Sequence, residues 1–386
     1  MRQLELDAIL GAMLQSYDGI SDLNFSVERP LQVEAYGSLR TILVEPSIES
    51  LTPYQTEQIA LTIIGNNRRL LQDLLEHGSC DCGYAIEGAR FRVNIFRQRG
   101  NIAIVMRKLQ SEIPTLEDLE LPGVFEDLCR EKTGLILVTG ATGSGKTTTL
   151  AAVLDRINEN QPVHIITLED PIEYVHSHKM ATFNQRELGQ DFSTYPNGLR
   201  AALRQAPKVI LVGEIRDRAT VEIAMSAAET GHLVLSTIHT INAGQSVERI
   251  LGMFETEEEE QLRQRLADVL RYVVSQRLAP KIGGGRHLLL EFMGNNLRTK
   301  EAVAIGEEEG RSFYDIIEAS STFGWTTFDQ SIIRAYENEL IDQETAILYA
   351  TRKGVVTRQI DLINKTRGHK REEKSGLALD SSSTTR

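Results

Sequence analysis

Apolar residues recur at helical spacing near the start of the chain and then alternate with polar residues in later segments. The helical spacing covers residues 4–14, and alternating segments lie at 31–35 and 90–96. A period near 3.6 residues indicates a helix, and a period of two indicates a half-buried strand. The pattern therefore predicts a small α+β domain over residues 1–107.

A polar stretch follows this predicted domain. Residues 108–122 contain Pro114, Pro122 and the acidic run 117–120. Prolines and clustered charges interrupt regular structure. We therefore expect a linker here that leads into a second domain.

Beyond the linker, short apolar runs alternate with helical patterns. The runs occupy residues 135–139, 164–168, 209–212 and 233–237. Short buried strands that alternate with helices indicate a parallel sheet covered on both faces. The sequence therefore predicts an α/β domain over residues 123–290.

The last third of the chain has a helical pattern. Five apolar residues share one stripe at helical spacing, which predicts a core-facing helix: Leu262, Leu266, Val269, Leu270 and Val273. We expect residues 291–365 to form a helical region. Residues 366–386 are polar and poor in apolar side chains, so we expect a disordered tail there.

Composition narrows the class of protein. The chain has 386 residues, of which 41% are hydrophobic and 25% charged, enough for two buried cores. No apolar run is long enough to span a bilayer, and residues 1–11 carry acidic groups where a signal peptide needs apolar ones. A net charge of −12 argues against nucleic acid as a partner. Three cysteines suit a reducing compartment, so we expect a cytoplasmic protein.

The strongest chemical signal is a phosphate-binding loop. Gly140-Ala141-Thr142-Gly143-Ser144-Gly145-Lys146-Thr147 follows a predicted strand and opens a predicted helix, which is the context that this motif requires. The glycines let backbone N–H groups approach a phosphate, Lys146 can reach the β and γ phosphates, and Thr147 can bind Mg²⁺. The sequence therefore predicts a site for a nucleotide with Mg²⁺.

Two carboxylates are candidates for hydrolysis, which needs an acidic group to hold the metal ion or to orient water. Glu214 follows the buried run 209–212, and Glu169 follows the run 164–168. Because ligands bind at the carboxyl ends of strands in an α/β sheet, both should lie near the phosphates. We predict Glu169, Glu214 and the loop residue Lys146 as catalytic residues and Glu214 as a Mg²⁺ ligand. Which of the two glutamates activates water stays open.

Two histidines flank the run 233–237. His232 precedes it and His239 follows it. Either histidine could report the state of the γ-phosphate to the sheet or could cap the end of the strand. The spacing alone slightly favours the capping role.

The chain resembles the PilT/PilU-type secretion ATPases that retract type IV pili. Five segments carry the resemblance in matching order and spacing: residues 140–148, 167–176, 184–187, 211–217 and 228–234. Residues 90–96 resemble the family's N-terminal domain. The resemblance implies a RecA-like P-loop ATPase domain, a smaller PAS-like α+β domain before it and a helical C-terminal region.

The resemblance also implies roles for individual residues. Glu169 lies in the family's Asp box, Glu214 ends Walker B, and His232 lies in the His box as a further catalytic candidate. Arginines of the N-terminal domain reach the nucleotide in such proteins. The expected ATP-binding residues are therefore Gly140, Thr142, Gly143, Ser144, Gly145, Lys146, Thr147, Thr148, Arg92, Arg97 and Arg99.

Members of this family form hexameric rings. The resemblance implies that ATP turnover by a homo-hexamer, docked at the cytoplasmic face of the inner membrane, drives movement against a platform protein of the pilus. A paralogous pilus motor ATPase is a further expected partner.

Two departures from the family pattern leave alternatives open. Ala206 and Lys208 stand where relatives usually carry aspartates, and residues 295–302 differ from the segment tied to retraction. The stretch 327–353 resembles PilU-like accessory motors. The alternatives are a low-turnover regulatory ring subunit and a pilus-assembly or type II secretion ATPase. Against the latter, the chain has no four-cysteine zinc insertion.

Overall fold

The protein was analysed as a computed structural model. The structure describes residues 2–42, 48–109, 112–308 and 310–368. Most of the expected tail, residues 369–386, lies outside the described residues, as do two residues of the expected linker. Within the described ranges, no helix is both long enough and apolar enough to cross a membrane.

The first part of the described chain is a sheet with three helices. The strands are β1 (Ile20–Phe25), β2 (Gln32–Ala35), β3 (Ser38–Thr41), β4 (Ser79–Ile86), β5 (Ala89–Gln98) and β6 (Asn101–Lys108). The helices are α1 (Gln3–Gln15), α2 (Pro53–Ile64) and α3 (Arg68–Glu76). The strands pair antiparallel in the order β3-β2-β1-β6-β5-β4. This arrangement is α+β, as the alternating pattern predicts.

Alternation along β5 explains how this sheet holds its helices. Phe91, Val93 and Ile95 are buried in one core, whereas Arg92 points away from it. Burial of large apolar side chains on one face of a sheet is the main stabilising contribution of such a layer. The opposite face of β5 is thereby free to carry polar groups.

A two-residue turn joins β5 to β6. Its residues, Arg99 and Gly100, have φ angles of +49° and +80°. Two-residue hairpins favour turns in which both residues have positive φ, because that twist matches the strands. Arg99 is therefore a turn residue at the tip of a hairpin, while Arg97 lies on β5 itself.

The second sheet carries the predicted α/β pattern. Its strands are β7 (Gly134–Thr139), β8 (His164–Glu169), β9 (Thr182–Glu187), β10 (Val209–Val212), β11 (Leu233–Ile238), β12 (Leu270–Pro280) and β13 (Arg286–Met293). The accompanying helices are α4 (Val124–Arg130), α5 (Lys146–Asn160), α6 (Tyr195–Ala202), α7 (Arg218–Glu229), α8 (Ala243–Leu251) and α9 (Glu259–Val269). The strand order is β13-β12-β7-β11-β10-β8-β9, and the pairs are parallel except for β12 with β13.

Two sequence predictions need correction here. The predicted apolar stripe ends as a helix at Val269, and Leu270 and Val273 belong to strand β12. A buried strand is apolar at nearly every position, so its first residues can extend a helical pattern by coincidence. Residue 290, the predicted end of the ATPase core, lies inside β13, so the boundary moves to the end of that strand at Met293.

The remaining described chain consists of helices, as expected for this region. They are α10 (Leu297–Ile305), α11 (Phe313–Glu318), α12 (Phe328–Glu337), α13 (Gln343–Tyr349) and α14 (Lys353–Thr366). Asp329 ties them together, because its carboxylate accepts hydrogen bonds from Thr351 N, Arg352 N and the hydroxyl of Tyr314. Trp325 packs directly against Gly294, just after β13.

Gly294→Ala tests that contact. A Cβ at residue 294 would lie 2.5–2.6 Å from three atoms of the Trp325 ring, so the helices would have to move away from β13. We expect a loss of about 1–3 kcal/mol of stability, which is typical of overpacking, seen as a lower midpoint in calorimetric unfolding. Gly354→Ala is the control, since nothing lies near its Cβ position in α14. Equal midpoints for the two variants would contradict the tight contact.

Candidate functional site

The phosphate-binding loop joins β7 to α5. Gly145 precedes the helix with a φ of +91°, a conformation that favours glycine. Gly140 has no room for a side chain, because a Cβ there would lie 2.5 Å from Ser144 Oγ and 2.6 Å from the carbonyl oxygen of Gln276. The loop therefore curls tightly onto itself, with the first turn of α5 directed at the space in front of it.

Lys146 is the cation of this loop. Its ammonium group is buried and donates hydrogen bonds to the carbonyl oxygens of Gly140 (2.9 Å) and Ala141 (3.0 Å). Burial lowers the pKa of Lys146, and the charges of Glu214 and Glu173 oppose that shift. In the described structure the ammonium has no direct carboxylate partner, so it is available to an anion.

Strand β12 supports the loop from below. Gln276 Nε2 donates to Thr149 Oγ1 of α5 at 2.7 Å, and Thr139 Oγ1 donates to Ser275 Oγ at 3.0 Å. These groups are buried. Sequence reasoning missed this support, because residues 275 and 276 carry no motif and meet the loop only after the sheet forms.

Glu214 follows β10 and is held in its charged form. Arg216 Nη2 lies 2.7 Å from one carboxylate oxygen, and His239 Nε2 lies 3.3 Å from the other. Burial raises the pKa of Glu214, but the hydrogen bond and charge of Arg216, with His239 and Lys146, lower it overall. Glu214 is therefore an ionised carboxylate that lines the same cleft as the loop.

Glu169 at the end of β8 has the opposite environment. Its carboxylate is buried and accepts hydrogen bonds from Thr167 Oγ1 at 2.6 Å and from Gln185 Nε2 at 3.0 Å. Burial raises the pKa of Glu169 to about 7, against the lowering effect of these two hydrogen bonds. Near neutral pH this carboxylate can therefore both accept and release a proton.

These groups share one cleft of about 510 Å³. The predicted site residues along its wall are Arg92, Thr142, Gly143, Gly145, Lys146, Thr147, Thr148, Glu169 and Glu214. Two predicted residues of the loop, Gly140 and Ser144, are not part of this wall. The volume is in the range of small-molecule sites.

The cleft also contains groups that the sequence did not single out. Asp170 and Tyr174 extend from the loop after β8, and Arg216 follows Glu214. Burial raises the pKa of Asp170, in opposition to the charges of Arg92 and Arg216. Their positions just beyond strand ends were the available signal, since that is where ligand-binding groups of α/β sheets lie.

Three predicted residues are not brought to the cleft in the described structure. His232 lies before β11, at the amino edge of the sheet, where its ring contacts the carbonyl oxygen of Ala227 at 2.9 Å. Arg97 and Arg99 lie toward the tip of the β5–β6 hairpin, and Arg99 is roughly 23 Å from Arg92 at about 3.3 Å per residue. Their predicted roles stay predictions without support from this geometry.

The polar groups of the cleft fit a chain of phosphates and a cation that prefers oxygen ligands. A buried ammonium and the unpaired N–H groups of a helix start suit phosphate oxygens. The hydroxyl of Thr147 and the ionised carboxylate of Glu214 line the same wall, and oxygen atoms are the ligands that Mg²⁺ prefers. The fold and the cleft thus define a P-loop nucleotide-binding protein.

A match to a protein family narrows this class of nucleotide-binding proteins. Residues 84–322, more than half of the chain, match the family described as Type II/IV secretion system protein, and the chain belongs to that family.

Two curated relatives match along most of their length. The chain is 36% identical to the type IV pilus ATPase PilU of Pseudomonas aeruginosa over 349 residues, which covers 90% of this chain and 89% of PilU. It is 38% identical to the type IV pilus retraction ATPase PilT of the same organism over 329 residues, which covers 85% of this chain and 93% of PilT.

A solved structure agrees with this assignment. The chain superimposes on a crystal structure of the pilus retraction motor PilT with bound ADP with a TM-score of 0.81 and 39% identity, covering 92% of this chain and 98% of that one. The comparisons confirm the predicted resemblance and the predicted fold class.

Glu169→Gln tests the raised pKa. Glutamine keeps the shape and can accept the hydrogen bonds from Thr167 and Gln185. The folded chain holds the proton of Glu169 up to a pH of about 7, whereas the unfolded chain loses it near 4.5. The contribution of Glu169 to stability is thus full below pH 4.5 and is lost as the pH rises through 7. The difference corresponds to at most about 3 kcal/mol.

We therefore expect the nucleotide-free variant and the wild type to unfold at similar temperatures at pH 5, and the variant to be the more stable at pH 8. Thermal unfolding at both values measures this. Glu222→Gln, which changes a partly exposed carboxylate outside the cleft, is the control. A stability difference that does not change with pH would show that Glu169 is ionised in the fold.

Proposed function

We propose that this chain is a hexameric motor that hydrolyses ATP to drive type IV pilus retraction and twitching motility, either as the principal motor or as a PilU-like accessory motor. The observation that carries the proposal is the joint placement of the phosphate-binding loop, Glu169 and Glu214 on one cleft. Nearly full-length similarity to PilU and PilT supports the coupling of that cleft to pilus movement.

The loop residues bind the triphosphate. Backbone N–H groups at Thr142, Gly143 and Gly145, which line the cleft, would bind the phosphates, and Lys146 would neutralise the charge that develops on them. Ser144 and Thr148 complete the loop and the first turn of α5. Thr147 and Glu214 would hold Mg²⁺. In that position the metal ion would supply positive charge that stabilises the phosphate oxygens.

The two glutamates divide the remaining work. Glu214 is kept ionised by Arg216 and His239, which suits a metal ligand. Glu169 has a pKa of about 7, which suits a group that accepts a proton from the attacking water. Two carboxylates whose environments push their pKa values apart commonly take different roles in one reaction.

Arg92 is the N-terminal residue proposed to bind ATP. It projects from the polar face of β5 into the cleft, and a planar guanidinium there stabilises phosphate charge as the two parts of the chain close. We propose a division into a PAS-like domain (1–107), a linker (108–122), a RecA-like ATPase core (123–293) and a helical region (294–365).

The proposed setting follows the relatives. The chain would assemble as a homo-hexamer in the cytoplasm, dock on a platform protein at the inner membrane and work beside a paralogous pilus motor. Similarity over 85–90% of the chain to two pilus ATPases of one organism supports this setting. The predicted absence of nucleic acid as a partner stays part of the proposal.

A low-turnover regulatory ring subunit is the second candidate. Ala206 and Lys208, which replace usual aspartates, lie outside the cleft wall in the described structure. Ala206 has a φ of +52° in the turn before β10, and Lys208 N donates to the carbonyl oxygen of His164 at 2.8 Å. Because these residues serve the turn and the strand start, their replacement leaves the catalytic groups in position, and we favour the active motor.

ATP hydrolysis by the purified full-length chain tests the proposal. We expect Mg²⁺-dependent turnover by a species of hexamer size on a sizing column. Glu214→Gln should reduce kcat at least about 100-fold while the ring still binds ATP, and Lys146→Ala should abolish turnover. Glu222→Gln, outside the cleft, is the matched control and should hydrolyse ATP normally.

Two results would contradict the proposal. Turnover that survives both cleft substitutions would show that another site is responsible. A ring that binds ATP without turnover in the wild type would favour the regulatory subunit.

A further inference from the structure

Glu187, at the end of β9, is a buried carboxylate that the proposed chemistry does not use. β9 is the edge strand of the second sheet, and β4 is the edge strand of the first. Glu187 lies where these two edges meet, and its side chain is only 3% exposed. A buried carboxylate is costly unless it is paired and hydrogen-bonded, so its partners explain why it is there.

All the recorded partners of this carboxylate are donors, and two of them belong to the first sheet. Arg90 Nη2 of β5 lies 2.6 Å from Oε2, and Gly83 N of β4 donates to Oε1 at 3.3 Å. Gly83 allows this approach, because a Cβ there would lie 3.0 Å from both carboxylate oxygens. Glu187 therefore holds both strands of the β4–β5 hairpin.

The other two donors lie in the loops that follow β8 and β9 of the second sheet. Ile172 N, in the loop after Glu169, donates to Oε2 at 3.2 Å, and Gln190 Nε2 donates to Oε1 at 2.8 Å. The same loop carries Asp170 and Tyr174 of the cleft wall. One carboxylate thus joins the hairpin to the loop that forms part of the proposed ATP site.

The same strand reaches the catalytic glutamate directly. Gln185 is two residues before Glu187 on β9, and its amide donates to Glu169 at 3.0 Å and to the carbonyl oxygen of Tyr174 at 2.8 Å. On the other side, Arg92 is two residues from Arg90 on β5 and pairs across the ladder with Gly83. A short series of direct contacts therefore connects Arg92 with Glu169, and Glu187 is at its centre.

We propose that Glu187 is a positioning residue for ATP hydrolysis, which fixes the β4–β5 hairpin, and with it Arg92, against the loop that follows Glu169. The proposal rests on the proposed function and adds the element that sets the geometry of its site. It explains why a carboxylate is needed: glutamine would turn an NH₂ group toward donors that all require an acceptor.

Steady-state kinetics of Glu187→Gln tests the proposal. The loop and Lys146 do not contact Glu187 in the described structure, so the affinity for a fluorescent ADP analogue should stay within about 2-fold, whereas KM for ATP should rise because Arg92 is proposed to bind ATP. A misplaced Arg92 should lower kcat about 10- to 100-fold. Glu159→Gln, which removes a carboxylate from a partly exposed ion pair with Lys179, is the matched control and should leave both constants unchanged.

Gly83→Ala covers the case in which Glu187→Gln fails to fold. It keeps both charges and crowds the carboxylate, so it should lower kcat in the same direction with a smaller effect. The variant should elute as a ring and bind the ADP analogue normally. Wild-type kcat in a folded Glu187→Gln, or in Gly83→Ala when Glu187→Gln does not fold, would overturn the proposal.

A double-mutant cycle with Arg92→Ala distinguishes an effect of Glu187 on the position of Arg92 from a general loss of activity. If Glu187 acts through Arg92, Glu187→Gln should cost less than about 2-fold in kcat once Arg92 is gone, because effects of coupled residues are not additive. A full additional loss in the double variant would show that Glu187 acts by another route and would overturn the assignment.

Hydrogen exchange gives an outcome that does not depend on turnover. A non-hydrolysable ATP analogue should slow exchange in residues 79–98 of the wild type, because Arg92 is proposed to bind ATP, and should not do so in Glu187→Gln. If the wild type hydrolyses no ATP, the proposed function fails, yet this comparison still decides whether Glu187 couples the hairpin to the cleft. Equal protection in both proteins would refute the coupling.

Discussion

The parallel register of β7, β8, β10 and β11 is the constraint on which the site depends. Four adjacent strands that run in one direction place their carboxyl ends at one edge of the sheet. The phosphate-binding loop, Glu169, Glu214 and His239 each follow one of these ends. If one of these strands ran in the opposite direction, the residue at its carboxyl end would lie at the other edge of the sheet. His232 lies at that other edge, because it precedes β11.

Burial and neighbouring side chains give different pKa values to two glutamates that look equivalent in the sequence. Glu169 and Glu214 each follow an apolar run, yet the first faces Thr167 and Gln185 and the second faces Arg216 and His239. Burial raises the pKa of Glu169 in spite of the hydrogen bonds from its two neutral partners, whereas the cationic Arg216 lowers the pKa of Glu214. The difference in pKa between the two glutamates, on which their proposed roles depend, therefore comes from tertiary neighbours.

Sequence patterns correctly predicted the features that depend on residues close together in the chain. The phosphate-binding loop is a contiguous motif, and the two glutamates could be placed because strand ends share an edge. The direction of the run 233–237 also distinguished His239 from His232, a signal that the prediction did not use. By contrast, the sequence did not show where α9 ends, because the first buried residues of β12 continue the helical spacing of apolar residues.

Contacts between distant segments were beyond sequence reasoning. Gln276 beneath the phosphate-binding loop belongs to no motif. Glu187 ends the segment 184–187, which carries part of the family resemblance, but its neighbours in the sequence do not reveal its role. Each meets its partner only when strands far apart in the chain have found their places. The two sheet edges at β4 and β9 are joined by side-chain hydrogen bonds, without a backbone ladder across them. Such polar contacts can break while both sheets stay intact, which is what the proposed movement between the two parts of the chain requires.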